Sequence, residues 1–245
     1  MTGGARLAKM RESGRIVRKV LDELRAFAAP GVTTAEMDSL ARAIISSEKG
    51  RPSFLGYHGY PAAVCISIDS EVVHGIPSGR RLKEGSLVSI DVGVFKDGYH
   101  GDAADSFFVG AAPSRSADEL VEVTYEARRR GICAAVCGNR LGDVGSAVQD
   151  YVESRGFAVV RDLVGHGIGR KLHEPPQVPN FGTPGRGEKL TDGMALAIEP
   201  MVNAGTWQVR VLDDGWTVVT ADGRLSAHAE HTIMVSGSDP VVLTA

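Results

Sequence analysis

Behind a turn at Gly31, the apolar residues Met37, Leu40, Ala41, Ile44 and Ile45 return at three- and four-residue steps, which predicts an amphipathic helix with one buried face. The stretch Gly138–Val148 reads as a second copy of Gly31–Ala41, again a glycine-bearing turn leading into a helix. Each copy follows another expected helix, over about Glu12–Ala29 and about Asp118–Cys137. The likeness continues into segments with strand character: His74-Gly75-Ile76-Pro77 matches His166-Gly167-Ile168-Gly169, and Leu82–Asp91 matches Leu190–Glu199. Each half thus supplies one histidine and one carboxylate in equivalent places. Such a repeat predicts an α+β fold of two similar halves, about residues 10–110 and 117–237, around a shared sheet, with the site between them in a single domain spanning 1–245.

The run from Leu87 to Val109 turns at Asp97-Gly98, a pair that favours a two-residue type I′ hairpin. With Lys96 opposite Tyr99, Gly93 falls opposite Asp102 and Asp91 opposite Ala104. Asp91 and Asp102 are then diagonal neighbours on one face, about 7–8 Å apart at the backbone, and two like charges that close call for a cation. Glu199 ends the apolar run Met194–Ile198 just before Pro200, where a bare carboxylate is costly to bury. Along Leu225–Val235 the even positions Ser226, His228, Glu230 and Thr232 are polar, which turns Glu230 to water or to a polar cavity. His166 stands among glycines that permit close backbone approach and leave its ring accessible.

Composition narrows the classes. A chain of 245 residues, 43% hydrophobic and 23% charged, can bury a sizeable core, and a net charge of -3 offers no electrostatic footprint for nucleic acid or a membrane surface. Met1–Arg25 alternates charged and apolar residues without the apolar core of a signal peptide, and no later stretch approaches a membrane span, so a cytoplasmic location is expected. Cys65, Cys133 and Cys137 have no CxxC spacing, which argues against a disulfide framework and a thiolate zinc site. Cys133 and Cys137, four apart on an expected helix, are assigned to the core. Four carboxylates and a histidine make an oxygen and nitrogen donor set for paired divalent metals, with manganese, iron, cobalt and zinc all open.

These residues resemble type I methionine aminopeptidases, whose pita-bread fold is shared with aminopeptidase P, prolidase and creatinase. The resemblance covers nearly the whole chain. It rests on Glu71–Pro77, on Ile90-Asp91 through Gly98–Asp102, on Gly165–Gly169 followed by His173-Glu174, on Ile198–Met201 and on Glu230-His231-Thr232. It implies two pseudo-symmetric α/β halves around a central curved antiparallel sheet with helices outside. It also implies two divalent metal ions held by Asp91, Asp102, His166, Glu199 and Glu230, with Asp102 and Glu230 bridging them and Glu199 shuttling a proton. His74 and His173 would contact the scissile amide and its developing tetrahedral centre. A methionine pocket would be lined by Tyr57, Tyr60, Cys65 and Trp216, with Phe54 and His58 nearby.

The implied activity is removal of the initiator methionine from N-terminal peptides of nascent proteins when the second residue is small, by a monomer at the ribosome, with no nucleic-acid or membrane role. Two positions depart from the family: Phe54 stands where many bacterial members have cysteine, and His228 where glutamine is expected. The nearest enzymatic rival is a proline-specific aminopeptidase or dipeptidase with the same five ligands, but those resemble this chain only after an additional N-terminal domain. A non-catalytic peptide-binding relative is the other alternative, and it would have no need for a cluster of charges.

Overall fold

The repeat read from the chain returns as a repeat of hydrogen bonds. The computed structural model describes residues 3–245; Met1 and Thr2, where the N-terminal segment read above begins, lie outside the described residues. In the first half Gly31 N donates to Leu82 O (2.9 Å) and Leu82 N to Val32 O (2.8 Å), and in the second Gly138 N donates to Leu190 O (3.0 Å) and Leu190 N to Asn139 O (2.8 Å). Isolated bridges Thr33↔Arg81 and Arg140↔Lys189 occupy matching places. Gly31 and Gly138 both have positive φ, 93° and 99°, which a side chain would strain.

The helices are α1 (Gly3–Phe27), α2 (Thr34–Ser47), α3 (Arg115–Ala134) and α4 (Leu141–Ser154). The starts of α2 and α4 are closed alike: Thr33 N donates to Glu36 Oε2 and Arg140 N to Asp143 Oδ2, each at 2.7 Å, satisfying donors that a helix start leaves unpaired. Two sequence readings are corrected here. The helix expected from about Glu12 begins at Gly3, because Leu7 and Met10, about one turn apart, already pack into an apolar cluster ahead of Glu12. Cys133 and Cys137 are exposed rather than in the core. The buried face of α3 runs through Leu120, Val123, Ala127, Gly131 and Ile132, so Cys133 points outward, and the helix ends before Cys137.

The strands of the first half are β1 (Arg51–Pro52), β2 (Val64–Ile68), β3 (Glu71–Val73), β4 (Leu87–Lys96) and β5 (Tyr99–Phe108). Those of the second are β6 (Ala158–Val159), β7 (Gly165–Gly167), β8 (Glu174–Val178), β9 (Ala195–Ile198), β10 (Met201–Asn203), β11 (Val209–Val211), β12 (Val218–Thr220), β13 (Ser226–His228), β14 (His231–Met234) and β15 (Val241–Val242). One sheet has the order β1-β4-β2 with β5 paired to β4, and another runs β15-β14-β9-β7-β8. Two smaller ones, β13-β10-β6 and β11-β12-β3, join them, and the strand pairings are antiparallel.

Helices α1 and α2 bury Ile16, Val20, Leu24 and Met37 against Ile66, Ile90 and Val92 of the first sheet. In the second half Val144 of α4 and Ile132 of α3 pack with Leu196, Ile198 and Ile233. Each fully buried aliphatic side chain contributes roughly 1.5–3 kcal/mol, so the two cores hold the sheets firmly enough to keep charged groups between them. Among the described residues no helix is long and apolar enough to cross a membrane.

Candidate active site

The β4–β5 hairpin has the register expected from its turn. Asp97 and Gly98 both have positive φ, 51° and 88°, as a type I′ turn demands, and Lys96 pairs with Tyr99, Gly93 with Asp102 and Asp91 with Ala104. Asp91 and Asp102 therefore project from one face. The Asp102 backbone is pinned by one hydroxyl, since Asp102 N donates to Thr232 Oγ1 (3.0 Å) and Thr232 Oγ1 donates to Asp102 O (2.8 Å).

Glu230 reaches the same place by a break in its strand. The even positions of Leu225–Val235 are buried, so the alternation marks a polar cavity and not solvent. Ala229 and Glu230 leave the ladder between β13 and β14: Ala229 N donates to Pro200 O (3.2 Å) and Glu230 N to Ala104 O (2.8 Å). Behind them Arg128 Nη1 donates to Glu230 O (3.0 Å) and holds Asp105 Oδ1 at 3.2 Å. His166 is on β7, where a Cβ on Gly165 would lie 2.4 Å from Ala197 O and one on Gly167 2.2 Å from Pro175 O. Only glycines allow the neighbouring backbones to close on the ring this tightly.

The charge in this cluster is uncompensated. Asp102 and Glu230 are 3% and 2% exposed. Asp91 Oδ1, Asp102 Oδ1 and Glu230 Oε1 are buried without a hydrogen-bond partner. Burial first raises the carboxyl of Asp91 to about 7. Burial, followed by repulsion from neighbouring carboxylates, pushes Asp102, Glu199 and Glu230 well above the usual range.

His166 carries the complementary feature. Its Nδ1 lies 2.9 Å from Gly167 O, and a carbonyl can only accept, so the proton is on Nδ1. Burial drops the imidazole pKa to about 3, which leaves a neutral ring with a bare Nε2 facing Glu199 Oε1 at 3.5 Å. With Glu199 ionised, two acceptors face each other there, at the spacing of two ligands each about 2.1 Å from one ion. Asp102, His166 and Glu230 bring ligand atoms within 4.8 Å of one another. The donor set fits a divalent cation. Cys65 does not compete for it, because burial and then Asp91 hold its thiol protonated.

A pH dependence follows. A carboxyl with a folded pKa above its unfolded value keeps its proton longer in the folded state. Between about pH 4, the ordinary aspartate value, and about pH 7, folded Asp91 binds more protons than the unfolded chain, so this cluster loses stability as pH rises through that window. A cation displaces those protons. The rise in melting temperature on adding divalent metal should therefore be larger at pH 8 than at pH 5, and calorimetry in two buffers of different ionisation enthalpy should show proton release. A metal effect independent of pH would dissociate these carboxylates from the metal site.

Around the cluster opens a cavity of about 660 Å³, lined by the candidate ligand, catalytic and pocket residues named from the sequence. His74 enters it with φ 63°, a conformation that costs a non-glycine residue and that clusters at functional sites. His173 is exposed at the mouth: its Nδ1 lies 2.8 Å from Tyr57 Oη and its ring 4.2 Å from that of His166. Tyr60 packs edge-on to Trp216 at 5.1 Å and donates to Gly75 O (3.0 Å), with Cys65 and Phe54 in the same apolar cluster. His58 is exposed beside Tyr57, 4.4 Å away ring to ring.

Leu163, Met201 and His228 line the cavity too and are absent from the site set read from the sequence. Only His228 carried a signal: a polar residue in alternation with Glu230, at a position departing from the family pattern.

The model of metallopeptidase family M24 matches residues 8–237. The chain belongs to metallopeptidase family M24. It is 52% identical over 235 residues to a methionine aminopeptidase of Clostridium perfringens, covering 96% of this chain and 94% of that one. The structure of a methionine aminopeptidase from Thermotoga maritima superposes with a TM-score of 0.96 at 46% identity, over 98% of this chain and 96% of that chain. An X-Pro aminopeptidase from the same organism shares the M24 fold, with a TM-score of 0.78 at 18% identity, and this chain covers only 61% of it. An M24 metallopeptidase uses divalent metal, and among the described residues Asp102, His166 and Glu230 form a group that could hold such an ion.

Proposed function

We propose that the protein is a methionine aminopeptidase that removes the N-terminal methionine of new proteins when the second residue is small. The observation that carries the reading is the bare His166 Nε2 facing Glu199 beside three unpartnered carboxylate oxygens, at the floor of a cavity walled by aromatics. Asp91, Asp102, His166, Glu199 and Glu230 would hold two divalent ions. Such a pair supplies Lewis-acid polarisation of the scissile carbonyl and a water acidic enough to attack near neutral pH. Manganese, iron, cobalt and zinc all suit these donors.

The residues of the chain do the rest. The Glu199 carboxylate accepts a proton from the attacking water and returns it to the departing amide nitrogen. Tyr57 is a neutral phenol, its pKa raised by burial; donating to His173 Nδ1, it leaves the proton on Nε2 to meet the developing negative charge. His74 contacts the scissile amide from the opposite half. Tyr57, Tyr60, Cys65 and Trp216, with Phe54 and His58 at its edge, form the slot for an unbranched thioether, where sulfur–aromatic contacts add roughly 0.3–1.5 kcal/mol. Residues 1–245 act as one catalytic domain whose halves, about 10–110 and 117–237, each contribute to the site. Its substrates are N-terminal peptides met in the cytoplasm at the ribosome, and it acts as a monomer.

A panel of short peptides under one metal condition tests this. Met-Ala, Met-Gly and Met-Ser peptides should be cleaved about 100-fold better in kcat/KM than Met-Lys or Met-Leu peptides, a difference of about 2.7 kcal/mol at the transition state. Preference for Xaa-Pro peptides, or equal cleavage after leucine, would leave a metallopeptidase but end the methionine assignment.

A further inference from the structure

Beside the proposed ligands lies a second imidazole that the mechanism above does not use. His228 is 2% exposed, and its Nε2 is buried with no hydrogen-bond partner. A buried polar atom left unpaired costs about 1–3 kcal/mol, so its persistence in the cavity wall asks for a function. It lies 3.8 Å from Glu199 Oε2. The other oxygen of that carboxylate, Oε1, faces His166. Two imidazoles thus address separate oxygens of one carboxylate.

His228 is held where it stands. Its backbone N donates to Ser106 Oγ (2.9 Å) and Ser106 Oγ donates back to His228 O (2.7 Å), so one buried hydroxyl clamps the residue on both sides. Ser89 Oγ lies 2.7 Å from that hydroxyl and ties the clamp to β4. His228 also pairs with Met201, two residues past Glu199. The ring and the carboxylate therefore sit on adjoining backbone, and closing the gap by about 1 Å makes a charge-assisted hydrogen bond.

We propose that His228 is a positioning residue whose Nε2–H donates to Glu199 Oε2 and so keeps Oε1 turned toward His166. A bare Nε2 would set a second lone pair against the carboxylate, as His166 already does; a protonated one turns the contact attractive and satisfies the buried nitrogen. With Oε2 tethered, the carboxylate cannot rotate its oxygens between ligand and proton-transfer roles. The assignment rests on the reading of Glu199 as a catalytic carboxylate in a metal centre. A primary amide can donate to the same oxygen, so glutamine at this position should preserve the function.

The test uses zinc-loaded protein with ¹⁵N-labelled histidine, read by long-range ¹⁵N–¹H correlation, with His228→Gln identifying the His228 signals by their loss. The expected result is a protonated Nε2 at His228 and a zinc-coordination shift at His166 Nε2. In parallel His228→Leu should lower kcat about 10–100-fold with KM for a Met-Ala peptide within about threefold, while His228→Gln stays within about threefold of wild type in both. A zinc-coordination shift or an unprotonated Nε2 at His228 overturns the proposal while leaving the metal centre intact, as does wild-type kcat in His228→Leu or failure of His228→Gln to restore it. Should wild-type protein take up no zinc, the proposed metal centre falls, and this assignment with it.

Discussion

Alanine at Asp102 or Glu230 should lower peptide turnover by about a thousandfold or more at saturating metal, a loss of at least about 4 kcal/mol of transition-state stabilisation. These two carboxylates and His166 bring ligand atoms within 4.8 Å of one another, and each carboxylate has a buried oxygen without a hydrogen-bond partner. The fold should survive both changes. Glu230 is placed by its backbone, through Ala104 O and Arg128, and Asp102 by Thr232, and none of these bonds involves the carboxylate. Removing one buried like charge should even help the metal-free protein: Asp102→Asn, stripped of metal at pH 8, should melt no lower than stripped wild type, because burial and repulsion from Asp91 already disfavour its charged form. Thermal melts of stripped and loaded protein, beside peptide hydrolysis, check both statements. Wild-type turnover in either alanine variant would refute the site.

Alanine at His173 should lower kcat by about 10²–10³ while changing metal affinity only slightly, since the imidazole is assigned to charge that develops in the substrate. Its geometry separates it from the ligands: it stands exposed at the mouth of the cavity, bonded through Nδ1 to Tyr57 Oη at 2.8 Å, with its ring edge-on to His166. Partial burial, and then the neighbouring His58, hold its pKa below the ordinary imidazole value, so near neutral pH the ring is uncharged and its tautomer matters. Tyr57→Phe removes the hydrogen bond at Nδ1 and should reproduce part of the loss, about tenfold in kcat, with the phenyl ring still packed in place. Metal titration followed by single-turnover hydrolysis distinguishes the two roles. If His173→Ala is inactive because it no longer loads metal, the residue belongs to the metal shell and the assigned role is wrong.

Much of this arrangement is written in local rules. The Asp97-Gly98 turn determines the pairing of β4 with β5, because a two-residue turn leaves one register and a period of two then assigns every side chain to a face. Asp91 and Asp102 come together for that reason alone. The internal repeat likewise announces the paired turns, helix caps and glycines, since each is built from residues only a few positions apart.

Longer-range contacts account for the remainder. Alternation along Leu225–Val235 showed that Glu230 faces something polar, but only the bonds from Ala229 to Pro200 and from Glu230 to Ala104 break the strand and carry the carboxylate to Asp102. Cys133 and Cys137 looked like core by spacing, yet the sheet takes the other face of α3 and the helix stops before Cys137. His228 was visible only as an odd residue in a familiar run until packing closed water away from its ring and left its Nε2 opposite Glu199. The difference is one of range: a turn or a cap is chosen by the dihedral and hydrogen-bond preferences of its own few residues. The burial of a polar atom is chosen by partners more than 100 positions away, such as Ser106 for His228 and Arg128 for Glu230. Local residue order limits which side chains can carry the charge; long-range packing selects which of them lose their water.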